Sequence, residues 1–364
     1  MTPPGSNTRE FLREQLPVIA SLVVLGIVAA FVQHGFLPGG DAAFPLAGVR
    51  VPLWHLFWMG FWTGYTMALV GEAAGIFALP YSMSVLQFSS LHVTPTIQLV
   101  TFLNPLGALF GFRRNRQWHL GFALWACFGG VAGGLVGPFV RLELLSDAEP
   151  FRLAVGVALA VAGIHLCTAA WRGFSARRRP EGIERKFAQE AAARKAAGLS
   201  PAGIPSGVGI ETVAHAGGKL TIGYWGESWT VDLRFLFVTG FLVGTVSAAL
   251  GVGGGFLLVP ILSICYGLPM YVLVAATIPY VIVLSAISLL TYGVIVPAVT
   301  DVMIPPEWTW GLLVAAGGVL GSWCAAKTQR YVPEHFLKLM LGGVTGLAGA
   351  LYVVSFFVSL PFRL

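Results

Sequence analysis

Residues 240–260 read Gly240-Phe241-Leu242-Val243-Gly244-Thr245-Val246-Ser247-Ala248-Ala249-Leu250-Gly251-Val252-Gly253-Gly254-Gly255-Phe256-Leu257-Leu258-Val259-Pro260. One glycine inside a helix costs about 1 kcal/mol relative to alanine, so the cluster at 251–255 breaks an otherwise continuous apolar run. The pattern occurs twice. Gly60, Gly64, Gly71, Gly75 and Pro80 match Gly240, Gly244, Gly251, Gly255 and Pro260 at a constant offset of 180. With small shifts the match continues: Thr96-Ile97 with Thr277-Ile278, Gly129-Gly130-Val131 with Gly317-Gly318-Val319, and Ala162-Gly163 with Ala348-Gly349. The chain is an N-terminal segment, a repeat of about 120 residues, a linker and the repeat again.

Of the 364 residues 56% are apolar and 10% charged, where a soluble globular chain carries about 25% charged residues. That is too little polar surface for a soluble fold, and the chain reads as an all-α polytopic membrane protein. The net charge is +6, but 10 of the 22 Lys and Arg residues lie between Trp171 and Arg234. Such a confined basic cluster marks a cytoplasmic loop rather than a nucleic-acid surface. Cys127, Cys167, Cys265 and Cys324 stand singly in apolar runs without CxxC spacing, as packing thiols do and disulfide or zinc sites do not. Apolar stretches long enough for about 30 Å of hydrocarbon lie at 17–36, 94–112, 118–140, 151–171, 270–293, 307–326 and 336–358. The first lacks a small-residue cleavage signature and reads as a retained transmembrane helix.

Loop charges orient the copies. Arg113, Arg114 and Arg116 follow the 94–112 stretch, and Glu143, Asp147 and Glu149 occupy the next loop. In the second copy the signs reverse, with Asp301 and Glu307 first and Lys327, Arg330 and Lys338 next. With Lys and Arg cytoplasmic the copies are inverted, a plan common among secondary transporters. The broken segment 233–267 must then return to the face it left, because the linker before it and the Lys327 loop share one side. Its second arm, 256–267, is only about 18 Å long as helix, which predicts a re-entrant hairpin; 53–89 gives its counterpart from outside. The expected architecture is about seven transmembrane helices plus two hairpins in a bacterial-type inner membrane. The N-terminus, with Arg9 and Arg13, and the linker are cytoplasmic, and the C-terminus is outside. The chain divides into an N-terminal helix and outer loop (1–52), repeat 1 (53–171), a basic linker (172–232) and repeat 2 (233–364). Within the linker, 182–198 predicts a short helix and 209–233 a small hairpin around Gly217-Gly218. Its plain role is a solvated topology determinant; the alternative is regulation or docking.

Non-helical backbone at membrane depth needs protein or a polar cavity to receive it. Two breaks entering from opposite faces therefore define a shared polar site. The returning arms begin near Ile76 and Phe256, so their free N–H groups and positive dipole ends suit an anion without any buried Lys or Arg, and none lies in the predicted membrane cores. Tight helix packing is the plainer explanation of the glycines. The site candidates are Gly71, Glu72, Ala73, Ala74, Gly75 and Ile76 in the first copy and Gly251, Gly253, Gly254, Gly255 and Phe256 in the second. Gln98, Asn104, Thr277, Tyr280, Ser285 and Ser288 are candidate cavity-lining groups, with Thr96 matching Thr277 and Asn104 matching Ser285. Membrane Ser and Thr more often bond within or between helices than to a ligand. Glu72 is the only carboxylate in the interior of the predicted segments, an ionisable group of the kind that marks function in membranes. It is the candidate for proton coupling; the alternative is a carboxyl that only closes the hairpin. His92 and His165 lack metal-ligand spacing with another His, and no metal or cofactor is called for.

The 240–260 stretch resembles the glycine-rich signature of the sulfite exporter TauE/SafE family of membrane permeases, a signature that the family carries in duplicate. The likeness extends over most of 53–358, apart from the linker. It implies a permease for small sulfur-containing anions such as sulfite or sulfonates, sulfoacetate among them. The first copy departs from the signature at Glu72, Ala73 and Ala74, so the half-sites are chemically unequal. An intramembrane enzyme or an assembly factor is the competing class, and a passive anion channel a third. Enzymatic motifs are missing: there is no GxSxG, HExxH or Walker A, and Phe256 spoils a GxGxxG. The partners expected are the anion and the lipid bilayer; the oligomeric state stays open.

Overall fold

A computed structural model describes residues 13, 15–70, 75–114, 119–175, 186, 189, 209–268, 270–328 and 334–358. Its helices are α1 (Leu16–His34), α2 (Leu53–Val70), α3 (Gly75–Pro80, continued by a π-helical turn Tyr81–Val85), α4 (Val93–Arg114), α5 (Leu120–Glu143) and α6 (Ala148–Ser175). After a three-stranded sheet, β1 (Ile210–Ala216), β2 (Lys219–Tyr224) and β3 (Glu227–Asp232), come α7 (Leu233–Leu250), α8 (Gly255–Tyr266) and α9 (Met270–Leu290). A second π turn, Thr291–Ile295, leads into α10 (Val296–Thr300), and α11 (Trp308–Thr328) and α12 (Glu334–Phe357) complete the described elements.

Glycine decides which helices touch. A Cβ added at Gly60 would lie 1.9 Å from the Val314 carbonyl oxygen, and one at Gly317 would lie 1.9 Å from that of Phe57. Helices α2 and α11 therefore meet backbone to backbone, running in the same direction. The repeat-matched pair behaves alike: a Cβ on Gly129 would sit 2.1 Å from the Phe237 carbonyl and one on Gly240 2.5 Å from that of Ala126, so α5 and α7 also run together. Each copy thus lays its first arm on a helix of the other. Helices α6 and α12 cross at Gly163 and Gly346 and again at Gly156 and Gly349, and these contacts fit only opposite directions. Helix α4 runs with α11, with Thr96 at Glu307 and Asn104 at Gly318, but against α7, with Gln98 at Ser247 and Thr94 at Gly251. Tyr280 and Ile287 of α9 lie on Gly130 and Gly134 of α5. Helices α2, α4 and α11 therefore point one way and α5, α7 and α9 the other. Each runs opposite to its counterpart in the sequence repeat.

The two ends of each broken segment lie against each other. Tyr81, beyond α3, hydrogen-bonds His55 at the start of α2 (2.8 Å), and the Ser82 hydroxyl lies 3.7 Å from Met59 Sδ. In the second copy the Tyr266 hydroxyl at the end of α8 accepts from the Asp232 amide (3.3 Å), and its ring packs edge-on against Phe235. Ser84 hydrogen-bonds Tyr352, fastening the first returning arm to α12.

Seven helices among the described residues are long and apolar enough to cross a membrane: Leu16–His34, Gly121–Glu143, Ala148–Thr168, Leu233–Leu250, Ala276–Thr300, Trp308–Ala325 and Leu339–Phe357. The expected number is met with a different membership. Leu233–Leu250, expected as a hairpin arm, qualifies by length; Val93–Arg114, expected as a crossing, is a full helix but is not among the seven. The protein is a multi-pass, mostly helical membrane protein.

The linker sequence predicted one hairpin, and the structure adds a strand. Gly217 and Gly218 at the β1–β2 turn and Trp225 and Gly226 at the β2–β3 turn all have positive φ, as tight hairpin turns with the sheet's twist require. One face of the sheet is packed rather than solvated. Leu220, Ile222, Tyr224 and Val231 are buried in one core with Phe122, Leu236 and Val272 from the adjoining helices. The expected helix at 182–198 lies outside the described residues except for Lys186 and Gln189, both helical.

Candidate substrate site

The start of α3 meets the second break. A Cβ placed on Gly75, the first residue of α3, would lie 2.8 Å from Val252 Cα, 2.9 Å from the Gly251 carbonyl oxygen and 2.8 Å from Thr101 Oγ1. Glycine is required at this position because any side chain would separate the tips. On the second tip Gly251, Gly253 and Gly254 hold φ of 85°, 80° and 72°, a left-handed region costing an L-residue roughly 1–2 kcal/mol. Gly251 ends α7 and Gly254 opens α8. The Gly255 amide donates to the Gly253 carbonyl, while the amides of Gly253, Gly254 and Phe256 find no acceptor among the described residues. Phe256 and Ile76 are fully buried in the core that joins the tips.

Among the described residues, Gln98 and Ser247 near this contact, and Asn104, Ser285 and Ser288 on α4 and α9, carry buried polar atoms without partners. Gln98 donates from Nε2 to the Ser247 carbonyl (3.0 Å), but its Oε1 has none. Neither amide atom of Asn104 is bonded, nor is the hydroxyl of its repeat counterpart Ser285, nor that of Ser288. The Ser247 hydroxyl is equally orphaned, 3.2 Å from where a Gly254 Cβ would stand. Native proteins leave few buried polar groups unsatisfied, and such groups call for a water, ion or ligand. The other candidates are engaged: Thr277 bonds back to the Leu273 carbonyl (3.1 Å), Tyr280 donates to the Gly240 carbonyl (2.8 Å), and Thr96 accepts from the Glu307 amide (2.9 Å). Gly71, Glu72, Ala73 and Ala74 lie outside the described residues. His92 bonds the Pro305 carbonyl (2.8 Å).

Two buried charges correct the sequence reading. Helix α5 runs through Glu143 instead of stopping near 140, placing Arg141 in its last turn with 1% of its surface exposed. A cation therefore does stand within a spanning helix. Its Nε donates to Thr94 Oγ1 (3.2 Å), its guanidinium carbon lies 3.7 Å over the Phe151 ring, and Nη1 has no partner. Glu307, read as a loop charge, is fully buried. Its Oε1 meets His34 Nε2 at 2.6 Å and its Oε2 accepts from the Leu46 amide at 3.2 Å. With the Thr309 hydroxyl donating to the Gly26 carbonyl and Gln33 Nε2 to that of Pro306, this pair fastens α1 to the start of α11. Ser247 carries no signal in the sequence, its counterpart at offset 180 being Met67, whereas Arg141 stands one residue beyond the predicted 118–140 stretch.

A hollow of about 490 Å³ lies elsewhere, on the outer face of α2 and α11, lined by Trp54, Phe57, Trp58, Phe61 and Leu320. It is apolar and does not reach the tips.

Gly75 meeting Gly251 and Val252 inside a multi-pass helical bundle with buried polar groups is an arrangement suited to membrane transport. Residues 56–352 match the family model of the sulfite exporter TauE/SafE, and the chain belongs to that family of membrane transporters, which are not enzymes. Membership gives transport of sulfite or related anions. No curated protein and no solved structure matches the chain.

Proposed function

We propose that this protein is a secondary transporter that exports small sulfur-containing anions, sulfite or sulfonates such as sulfoacetate, by proton-coupled alternating access. The observation carrying this reading is the contact of Gly75 with Gly251 and Val252 amid orphaned amides and buried polar side chains. The amides of Gly253, Gly254 and Phe256 at the start of α8 supply donors and the positive end of a helix dipole. Ser247, Gln98, Asn104, Ser285 and Ser288 supply neutral polar groups. The remaining named residues of the tips and of α9 complete the site. The opposed directions of repeat-matched helices support an inverted-repeat carrier, divided as the sequence suggests at 53, 172 and 233. The N-terminus and linker then face the cytoplasm across an inner membrane. The closed tips represent one occluded end of the cycle, and rocking of one copy against the other exposes the site alternately.

Glu72 couples proton to anion movement in this scheme, because it is the one carboxylate of the broken segments and a desolvated carboxyl titrates nearer neutrality. The test is a thermal-shift panel on purified protein with sulfite, thiosulfate, sulfoacetate, taurine, sulfate and a carboxylate. A ligand at about 100 times its dissociation constant stabilises by about 2.7 kcal/mol. A shift with the sulfur oxyanions supports the reading; equal or absent shifts across the panel overturn it.

A further inference from the structure

Arg141 is buried with neutral company. Its partners are a threonine hydroxyl and the face of Phe151, Nη1 has none, and no carboxylate lies within ion-pair distance among the described residues. A desolvated guanidinium is costly unless paired with an anion, and this one sits beside the second hairpin tip. Thr94, which accepts its Nε–H, also packs its own Cα and carbonyl against Gly251. Tyr292, in the π turn Thr291–Ile295, lies within electrostatic reach and donates to the Ala248 carbonyl one turn before the break. The guanidinium is therefore tied through Thr94 to Gly251 at the second tip, and the Tyr292 hydroxyl holds the Ala248 carbonyl of the same segment.

Dipole and cation-π contacts favour an arginine at a helix C-terminus, and they account for the Phe151 contact. They do not account for a sealed Nη1 with nothing to donate to. From this we infer that Arg141 is an anion-binding residue of the transport site, the positive charge that receives a small oxyanion on the far side of the second tip. The planar fork holds two oxygens of a sulfite or sulfonate at once, while the α8 amides approach the anion from the other side. The inference rests on the transport reading and adds to it the one charged recognition group.

The experiment measures anion affinity, by thermal shift and by transport KM, in wild type, R141Q and R141K. Substitution by Gln removes an uncompensated charge, so the empty R141Q protein melts no lower than wild type while sulfite and sulfoacetate affinity falls by at least about tenfold. In transport, KM rises more than the maximal rate falls. R141K keeps the charge but loses the fork; it folds, and its oxyanion affinity lies between those of the other two. If wild type binds and R141Q binds equally well, Arg141 is structural and the inference fails while the transport reading stands. A lower melting temperature of empty R141Q with unchanged affinity has the same meaning. Should R141Q not fold, R141K with wild-type affinity and anion order overturns the inference, and weakened oxyanion binding supports it. No binding by wild type overturns both readings.

Discussion

Glu307 and His34 show how much one residue's setting depends on neighbours far along the chain. In the sequence Glu307 is an acidic loop residue before an apolar run. In the fold it has 0% exposure, 2.6 Å from a histidine 273 positions earlier. Nothing local in the sequence signals that pairing, because the loop 35–52 folds it into place through the Leu46 amide. Replacing His34 with Ala leaves Glu307 buried with one oxygen unpaired, at a cost of about 3 kcal/mol. The variant's melting temperature in detergent reads this directly, and E307Q in the H34A background recovers much of the loss. Glu72, outside the described residues, is a candidate on sequence grounds alone, since a carboxylate in an apolar run is conspicuous. Replacing it with Gln abolishes the pH dependence of transport while preserving folding; measured pH profiles that coincide with wild type remove it from the coupling scheme. Arg141 escaped because apolarity fades near residue 140 while the helix continues to Glu143. Hydropathy locates the membrane, and the backbone locates the helix end.

At the scale of elements the glycine spacing was the most informative feature, for a steric reason. Close helix pairs in a membrane are built from small residues, so the same positions recur wherever the same approach recurs. Gly317 cannot carry a Cβ without meeting the Phe57 carbonyl at 1.9 Å, whereas a Cβ at Gly343 meets nothing within 4 Å. G317A therefore separates α2 from α11 and destabilises by roughly 2 kcal/mol or more. G343A gains up to about 1 kcal/mol from helix propensity. Paired unfolding measurements check both signs. The third strand escaped notice because Trp225 is not a usual residue for positive φ.

The sheet reports on pH through His119. Its Nδ1 accepts from the Phe122 amide (3.0 Å), capping α5, and its Nε2 pairs with Thr212 of β1 (2.9 Å). Burial holds the imidazole below its ordinary value, so the folded protein binds fewer protons than the unfolded chain. The stabilisation is complete above about pH 6.5 and is lost as pH falls through the lowered folded value. The melting temperature of wild type drops over that window more than that of H119N, whose amide caps without titrating.

For the whole molecule, the few charges placed the chain in a membrane and the repeat gave its pairing. Residues 16–34, 53–70, 75–85 and 233–266 lie where the apolar pattern put them. What no linear pattern displays is the approach of Ser247 of α7 to Gln98 of α4 and to the second tip. The central claim is that the contact of Gly75 with Gly251 and Val252 is the closed site of an anion carrier. Counterflow tests it most directly: proteoliposomes loaded with unlabelled sulfite take up labelled sulfite from outside. A carrier gives saturable uptake with a transient overshoot that vanishes in unloaded vesicles. Flux that rises linearly with concentration without overshoot, or none above protein-free liposomes, contradicts the account.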